Sequence, residues 1–370
     1  MENPLKAKFG EVPFHALGSI RTSLALLSRY RVHGPPLFAV PSTNGGWDNL
    51  LMDRLKNNLV LALALGVVVY LLLIVFAGYG ELVAALKRFD WSLLPAIIAL
   101  VVASYAVRFL RWSYYLGLLG VDVPVVKSAA IFVAGLSMTV SPGKLGEVLK
   151  SVFVRRVTGA PIARTAPAVV AERVTDGTGM VAWGLLGGLA FGLGLGGLLF
   201  FLVLAVLATA VLRSKRLSLL AERVLGRLPL ARRLVPHLGD FHGSSARLLA
   251  AGPLMAGTAV SFLSWGLEIL AVYLCVIASG AEVRFLVTAF VFAAATLGGV
   301  LSMLPGGLGS AEALMIGGFK TAAELSTGLA GALTLVIRLV TLWFATFLGL
   351  AGLLLLRRAL GDPLEADRGG

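Results

Sequence analysis

Apolar and polar positions along this chain separate into long blocks. Six stretches are apolar over roughly the 20 residues an α-helix needs to cross a bilayer: 59–78, 93–115, 167–191, 193–212, 254–279 and 329–356. Two further blocks behave differently: 128–140 is too short to span, and 285–304 is long enough but runs into Pro305-Gly306-Gly307. The basic positions lie beside these blocks. Arg54 and Lys56 precede the first, and Lys144, Lys150, Arg155, Arg156 and Arg164 separate the second from the third. Seven more, from Arg213 to Arg233, follow the fourth, and Arg357 and Arg358 follow the last. Lysines and arginines at span ends mark the cytoplasmic side, which puts both termini in the cytoplasm. The short, nearly neutral loop 280–284 belongs outside. Parity then requires that 285–320 enter and return from the outer face and that 128–157 do so from the inner face. The expected fold is an all-α polytopic membrane protein. It has about six full transmembrane helices and two opposed re-entrant or broken hairpins, in two related halves with a suspected inverted repeat. Seven or eight spans are the alternative.

Composition reinforces the pattern. Hydrophobic residues make up 58% of the chain and charged ones 14%, with a mean hydropathy of +0.90, whereas soluble domains carry about 45–50% and about 25%. The net charge of +13 is explained by the cytoplasmic loops, so it does not point to nucleic acid. One cysteine, Cys275, rules out a disulfide framework and any multi-cysteine metal site. Residues 1–51 are mixed and carry Pro35, Pro36 and Pro41. They read as a cytoplasmic arm or an extension upstream of the natural start, because 52–58 leads directly into the first span. The membrane domain is 52–358 and the tail is 359–370. Within the long loop 213–250, Leu217, Leu220, Val224, Leu225 and Leu228 recur near helical spacing among arginines. That pattern fits an amphipathic helix on the anionic cytoplasmic leaflet, or a solvated basic loop that only fixes topology.

One motif occurs twice. The chain reads Gly135-Leu-Ser-Met-Thr-Val-Ser-Pro142-Gly143-Lys144-Leu-Gly146-Glu147, and later Gly299-Val-Leu-Ser-Met-Leu-Pro305-Gly306-Gly307-Leu-Gly309-Ser-Ala-Glu312. Each copy falls in one of the two hairpins. Proline and glycine break a helix and free backbone groups, which lipid cannot satisfy, so such segments are buried in protein or line a wet cavity. Transporters place paired broken helices of this kind at their binding site. A pair of plain Pro-Gly turns is the alternative.

Charges inside the spans cost roughly 2.5–3.5 kcal/mol each and so call for a role. The third span carries Glu172, Arg173 and Asp176, the second Arg108 and Arg111, the fifth Glu268 and the last Arg338. Glu172 and Asp176 share a helix face, and Arg173 reaches Asp176 at i,i+3. On a structural reading, Arg108 or Arg338 pairs with Glu172, Asp176 or Glu268, and Arg111 snorkels to the headgroups. On a functional reading, Arg108, Lys144, Arg173 and Arg338 offer positive charge to a phosphate, while Glu147, Glu172, Asp176 and Glu312 balance them or carry protons. All four histidines lie outside the predicted spans, and there is no Walker loop and no Gly-x-Ser-x-Gly. No catalytic residue, metal or cofactor is therefore assigned, and an enzyme is not expected.

The segments 141–150, Ala171-Glu172-Arg173-Val174-Thr175-Asp176 and 304–312 together resemble the lysylphosphatidylglycerol synthase transmembrane, or flippase-like, family over about residues 55–358. The resemblance implies a lipid-handling membrane domain. Lysyl transfer is not implied, because the aminoacyl-transferase domain of larger members is not expected here. It also implies that Pro142, Gly143, Lys144, Gly146, Glu147, Glu172, Arg173, Asp176, Pro305, Gly306, Gly309 and Glu312 line a lipid path. With Arg108, Gly307 and Arg338 added from the residue reading, these form the expected substrate site. The expected function is movement of a phospholipid or lipid-linked headgroup between the leaflets of the cell membrane without ATP. A small-solute or ion transporter and a membrane-embedded transferase with Glu147 or Asp176 as base remain the alternatives.

Overall fold

The computed structural model describes residues 64–75, 78–141, 145–191 and 235–360, together with single positions 199, 203, 206 and 214. All lie in one compact unit, Ser42–Gly370, and their regular structure is helical. In chain order the elements are α1 (Ala64–Val75), α2 (Tyr79–Arg88), α3 (Leu94–Leu118), α4 (Val125–Leu136), α5 (Leu149–Thr158), α6 (Ile162–Phe191), α7 (Val235–Leu248), α8 (Ala251–Ala278), α9 (Phe285–Leu301), α10 (Ser310–Ala323), α11 (Thr327–Arg338) and α12 (Phe344–Leu360). A π-turn, Leu339–Trp343, joins α11 to α12.

Among the described residues, three helices are long and apolar enough to cross a membrane: Trp91–Leu118, Ala251–Ala278 and Thr327–Leu356. They contain the predicted second, fifth and sixth spans. The third, α6, has 30 residues but carries Glu172, Arg173 and Asp176, which lower its hydropathy. The first predicted span, 59–78, contains α1; past its end α2 leaves at 98° to it. The predicted span 193–212 and the arm 1–51 lie outside the described residues, except for three positions of the former, and so does the amphipathic stretch 217–228. The end of that long loop is α7, which is docked on α6 through buried Ser245 and Leu248.

The element order after α2 recurs. A long helix (α3, α8) ends in a Schellman turn at Gly120 or Gly280, both with positive φ. Val121 N–H reaches Leu116 O, and Ala281 N–H reaches Val276 O. A shorter apolar helix follows (α4, α9), then a break, a short helix (α5, α10) and another long helical run (α6, and α11 to α12). The apolar segments 128–140 and 285–304 are therefore each a shorter apolar helix that runs into a break.

The two sets of elements interlock. Helices α3 and α8 run antiparallel, because Asp90 bonds Ala278 at one end and Arg111 meets Ser261 toward the other. Across them, α9 packs on α6 and α4 packs on α12. Glycines permit the last two contacts. A Cβ on Gly187 would lie 2.5 Å from the Leu286 carbonyl, and one on Gly349 would strike the Leu136–Ser137 backbone. Large apolar side chains cover the outside, with Leu71, Leu110, Leu189, Leu263 and Leu355 each more than half exposed. A bilayer covers such a surface without the penalty that water would impose.

These approaches set the first expectation. Gly349→Val lowers stability by about 1–3 kcal/mol or more by overpacking α12 against α4. Gly117→Ala, whose new methyl meets nothing within 4 Å, leaves the melting temperature in detergent equal or higher. Equal melting of Gly349→Val and the parent would contradict the packing.

Candidate functional site

Each helix break is built from backbone groups that side chains must satisfy, since lipid cannot. At the first break the α4 helix tightens into a 3₁₀ turn, Ser137–Val140. Ser141 Oγ then donates to Met138 O (2.6 Å) and accepts Gly146 N–H (2.8 Å), bridging the interruption from both sides. Pro142, Gly143 and Lys144 lie outside the described residues. At the second break Gly306, Gly307 and Gly309 all have positive φ, a backbone course open to glycine at no steric cost. Ser302 Oγ donates to Gly299 O at 2.7 Å and accepts from Ser310 Oγ at 2.8 Å. Gly299 and Gly307 also touch backbone to backbone, where a Cβ on Gly307 would come within 2.9 Å of Gly299 Cα.

A glutamate stands on each break, and an arginine from the following long helix holds it. Arg173 Nη2 meets Glu147 Oε2 at 3.1 Å, and Arg338 Nε meets Glu312 Oε1 at 2.6 Å; both pairs are 26 residues apart in sequence. The second clamp is the fuller. Arg338 Nη2 also donates to Gly306 O (2.6 Å), while Glu312 Oε2 accepts Gly309 N–H (2.7 Å) and so caps α10. The first clamp is shared instead with other charges. Arg173 also meets Asp176 at 3.1 Å, and Lys150 lies 2.5 Å from Glu172 and 3.5 Å from Glu147.

Between the two breaks lies a cavity of about 90 Å³, walled by the middles of α3, α6 and α8, by both breaks and by the α11–α12 junction. Arg108 of α3 pairs with Glu268 of α8 on its wall. These residues are 160 apart, and the same spacing relates Gly120 to Gly280 and Tyr105 to Trp265. The guanidinium sits over the Trp265 ring at 4.1 Å and near the Tyr105 ring at 5.9 Å, a cation–π arrangement that strengthens in a dry setting. Arg111 reaches Asp176 (2.7 Å), Thr175 (3.0 Å) and Ser261. Among the described residues the network holds five cations, Arg108, Arg111, Lys150, Arg173 and Arg338, and five carboxylates, so its charges balance.

Of the predicted site residues, Arg108, Glu147, Glu172, Arg173, Gly306, Gly307 and Arg338 line this cavity. Gly146, Asp176, Pro305, Gly309 and Glu312 are absent from its wall; Asp176 and Glu312 stand behind it, holding the arginines that reach it. Two expectations are corrected. Arg111 does not snorkel to the headgroups but is 2% exposed, because Asp176, Thr175 and Ser261 give its guanidinium a better environment than an interface. Lys150 is no solvated topology marker: it is 2% exposed against Glu172, with the Trp112 ring 4.6 Å away. Gly135 makes room for it, since a Cβ there would lie 2.6 Å from the lysine stem. Sequence reasoning named Glu268 as a charge in a span but left it, with Tyr105 and Trp265, outside the site. The signal was available in the i,i+3 spacing of Arg108 and Arg111 and in the alignment of α3 with α8.

Helices coated in leucine around an ion-paired interior define a multi-pass helical membrane protein. Within that class the chain belongs to the family of the lysylphosphatidylglycerol synthase TM region, whose pattern matches residues 60–349. It is similar to two UPF0104 membrane proteins of Methanothermobacter thermautotrophicus, each 28% identical to it. They match over 323 and 330 residues, which is 80% and 81% of this chain and 93% and 96% of their own lengths. A UPF0104 membrane protein of Pyrococcus horikoshii is 25% identical over 325 residues, 80% of this chain and 96% of its own length.

The clamps generate an expectation about stability. Glu312→Ala strands Arg338 and the Gly309 amide and costs about 3–5 kcal/mol, whereas Glu312→Ala combined with Arg338→Met recovers a substantial part of that loss. Thermal melting in detergent across the double-mutant cycle checks it; additive losses would mean that the two residues are not coupled.

Proposed function

We propose that this protein moves a phospholipid or lipid-linked headgroup between membrane leaflets, as a transporter that does not hydrolyse ATP. The observation that carries the reading is a charge-lined cavity enclosed by two broken hairpins in the middle of a lipid-coated bundle. Arg108 and Glu268 lie near the middles of their helices, Trp91–Leu118 and Ala251–Ala278, and hence near mid-bilayer, where a charged wall is costly unless something charged passes. Three arginines on that wall keep donors in reserve: the buried Nε atoms of Arg108, Arg111 and Arg173 have no hydrogen-bond acceptor. A phosphate entering the cavity takes up those donors in the planar geometry guanidinium favours. In this reading the two halves form an inverted repeat, consistent with antiparallel α3 and α8. Six spans hold both termini in the cytoplasm of the cell, and basic loops face anionic lipids there. The hairpins open alternately to the two sides, as paired broken helices do in repeat transporters.

The test is a fluorescent-phospholipid exchange assay on purified protein in liposomes. The wild type exchanges lipid between leaflets. Arg108→Ala with Arg173→Ala removes charge-assisted contacts of about 1.5–3 kcal/mol each, and their combined loss slows exchange by roughly a hundredfold or more. Wild-type protein that exchanges no lipid, across several headgroups, would overturn the reading and turn attention to small solutes, which the same vesicles test by efflux of a trapped dye.

A further inference from the structure

The cavity has one apolar edge. Among the described residues that line it, only Val300 and Leu304 are exposed, each at 41%. They stand at the end of α9, beside Leu301 and Met303, which are 45% and 53% exposed. The four side chains flank the second break without closing over it. Met303 takes a left-handed conformation with φ 53°, unusual for a residue with a side chain of this size. Ser302 Oγ holds the turn by accepting Leu304 N–H at 3.3 Å.

Depth says what meets this edge. α9 begins at Phe285, just past the turn from α8, and runs 17 residues. At 1.5 Å per residue that is about 25 Å of helix, against a hydrocarbon core of about 30 Å. Val300 to Leu304 therefore lie within hydrocarbon depth, in the half of the membrane remote from the α8–α9 turn. An opening for a water-soluble substrate would present polar side chains, whereas this one presents valine, leucine and methionine and is continuous with the guanidinium-lined interior. Gly306, two residues past Leu304, already gives its carbonyl to Arg338.

We propose that Val300, Leu301, Met303 and Leu304 form a lateral portal, through which the acyl chains of a phospholipid extend into the bilayer while its headgroup occupies the cavity. The proposal rests on the transport reading above and adds the leaflet-facing side on which the substrate is loaded or released. Tails that stay in lipid need never cross the charged wall, and only the headgroup exchanges bilayer for cavity.

The experiment uses full-length protein in liposomes containing a fluorescent phospholipid. Val300→Trp and Leu304→Trp narrow the portal and slow exchange at least about tenfold. Leu110→Trp, on an equally lipid-exposed face of α3 away from the cavity, keeps the wild-type rate. Because a tryptophan variant could misfold, blocking is repeated after folding. With Cys275, the single native cysteine, replaced by serine, Leu304→Cys is labelled in the vesicle with a bulky thiosulfonate. Exchange falls on labelling and returns when the label is reduced off. Wild-type exchange that neither tryptophan nor label disturbs overturns the portal and leaves lipid transport standing. A wild type that exchanges no lipid removes both.

Discussion

A charge or a free peptide group placed in hydrocarbon must find its partner within the protein, and this fold is organised around that requirement. Each break frees backbone groups, which Ser141 meets at the first and Ser302 and Glu312 meet at the second. Each glutamate in turn needs a cation, supplied from the next long helix at the same sequence distance, by Arg173 for Glu147 and Arg338 for Glu312. Remove the arginines and both the carboxylates and the unwound backbone beneath them lose their support. Solvating so many ionised groups against one another in a compact interior is possible only because they alternate in sign.

Packing then decides where the interior can be hollow. α4 lies on α12 and α9 lies on α6, so each hairpin is held by the closing helix of the other half. The glycine contacts at Gly187 and Gly349 bring those helices to backbone distance. With α3 and α8 packed on each other, both breaks line the one cavity beside them. The two clamps around that space are unequal: Arg338 is locked onto the backbone of its break, whereas Arg173 divides itself between Glu147 and Asp176 and keeps a more exposed side chain. The first hairpin is thus tied by charges that can be reshuffled, the second by bonds to its own main chain.

Much of this is legible in the residues. Apolar runs with basic ends are written in long stretches, so α3, α8 and α12 are easily read, and a doubled Ser-Met and Pro-Gly pattern marks both breaks. Other features depend on information the chain does not carry locally. The apolar run ends near Gly78, but the 98° angle at which α2 then leaves it is not written in the run. Arg111 and Lys150 resemble interfacial residues by position, because a charge near the end of an apolar run is ordinarily solvated. Only the approach of Asp176 and Ser261 to one, and of Glu172 and the Trp112 ring to the other, makes their burial affordable. Tyr105, Trp265 and Glu268 gain their place through contact between helices 160 residues apart. The glutamates, by contrast, stand within the motif and are visible at once.

The contact between Arg108 and Glu268 joins positions 160 residues apart, the spacing that also relates Gly120 to Gly280 and Tyr105 to Trp265. Were the molecule a pair of identical subunits related by a two-fold axis, that axis would bring one residue face to face with its own copy. Two arginines or two glutamates would then confront each other in the low-dielectric interior, a repulsion with no nearby water to soften it. Carrying both halves on a single polypeptide lifts that restriction, since each side of the centre can then hold a different amino acid. An ion pair between two such facing positions therefore calls for one polypeptide on which they can differ.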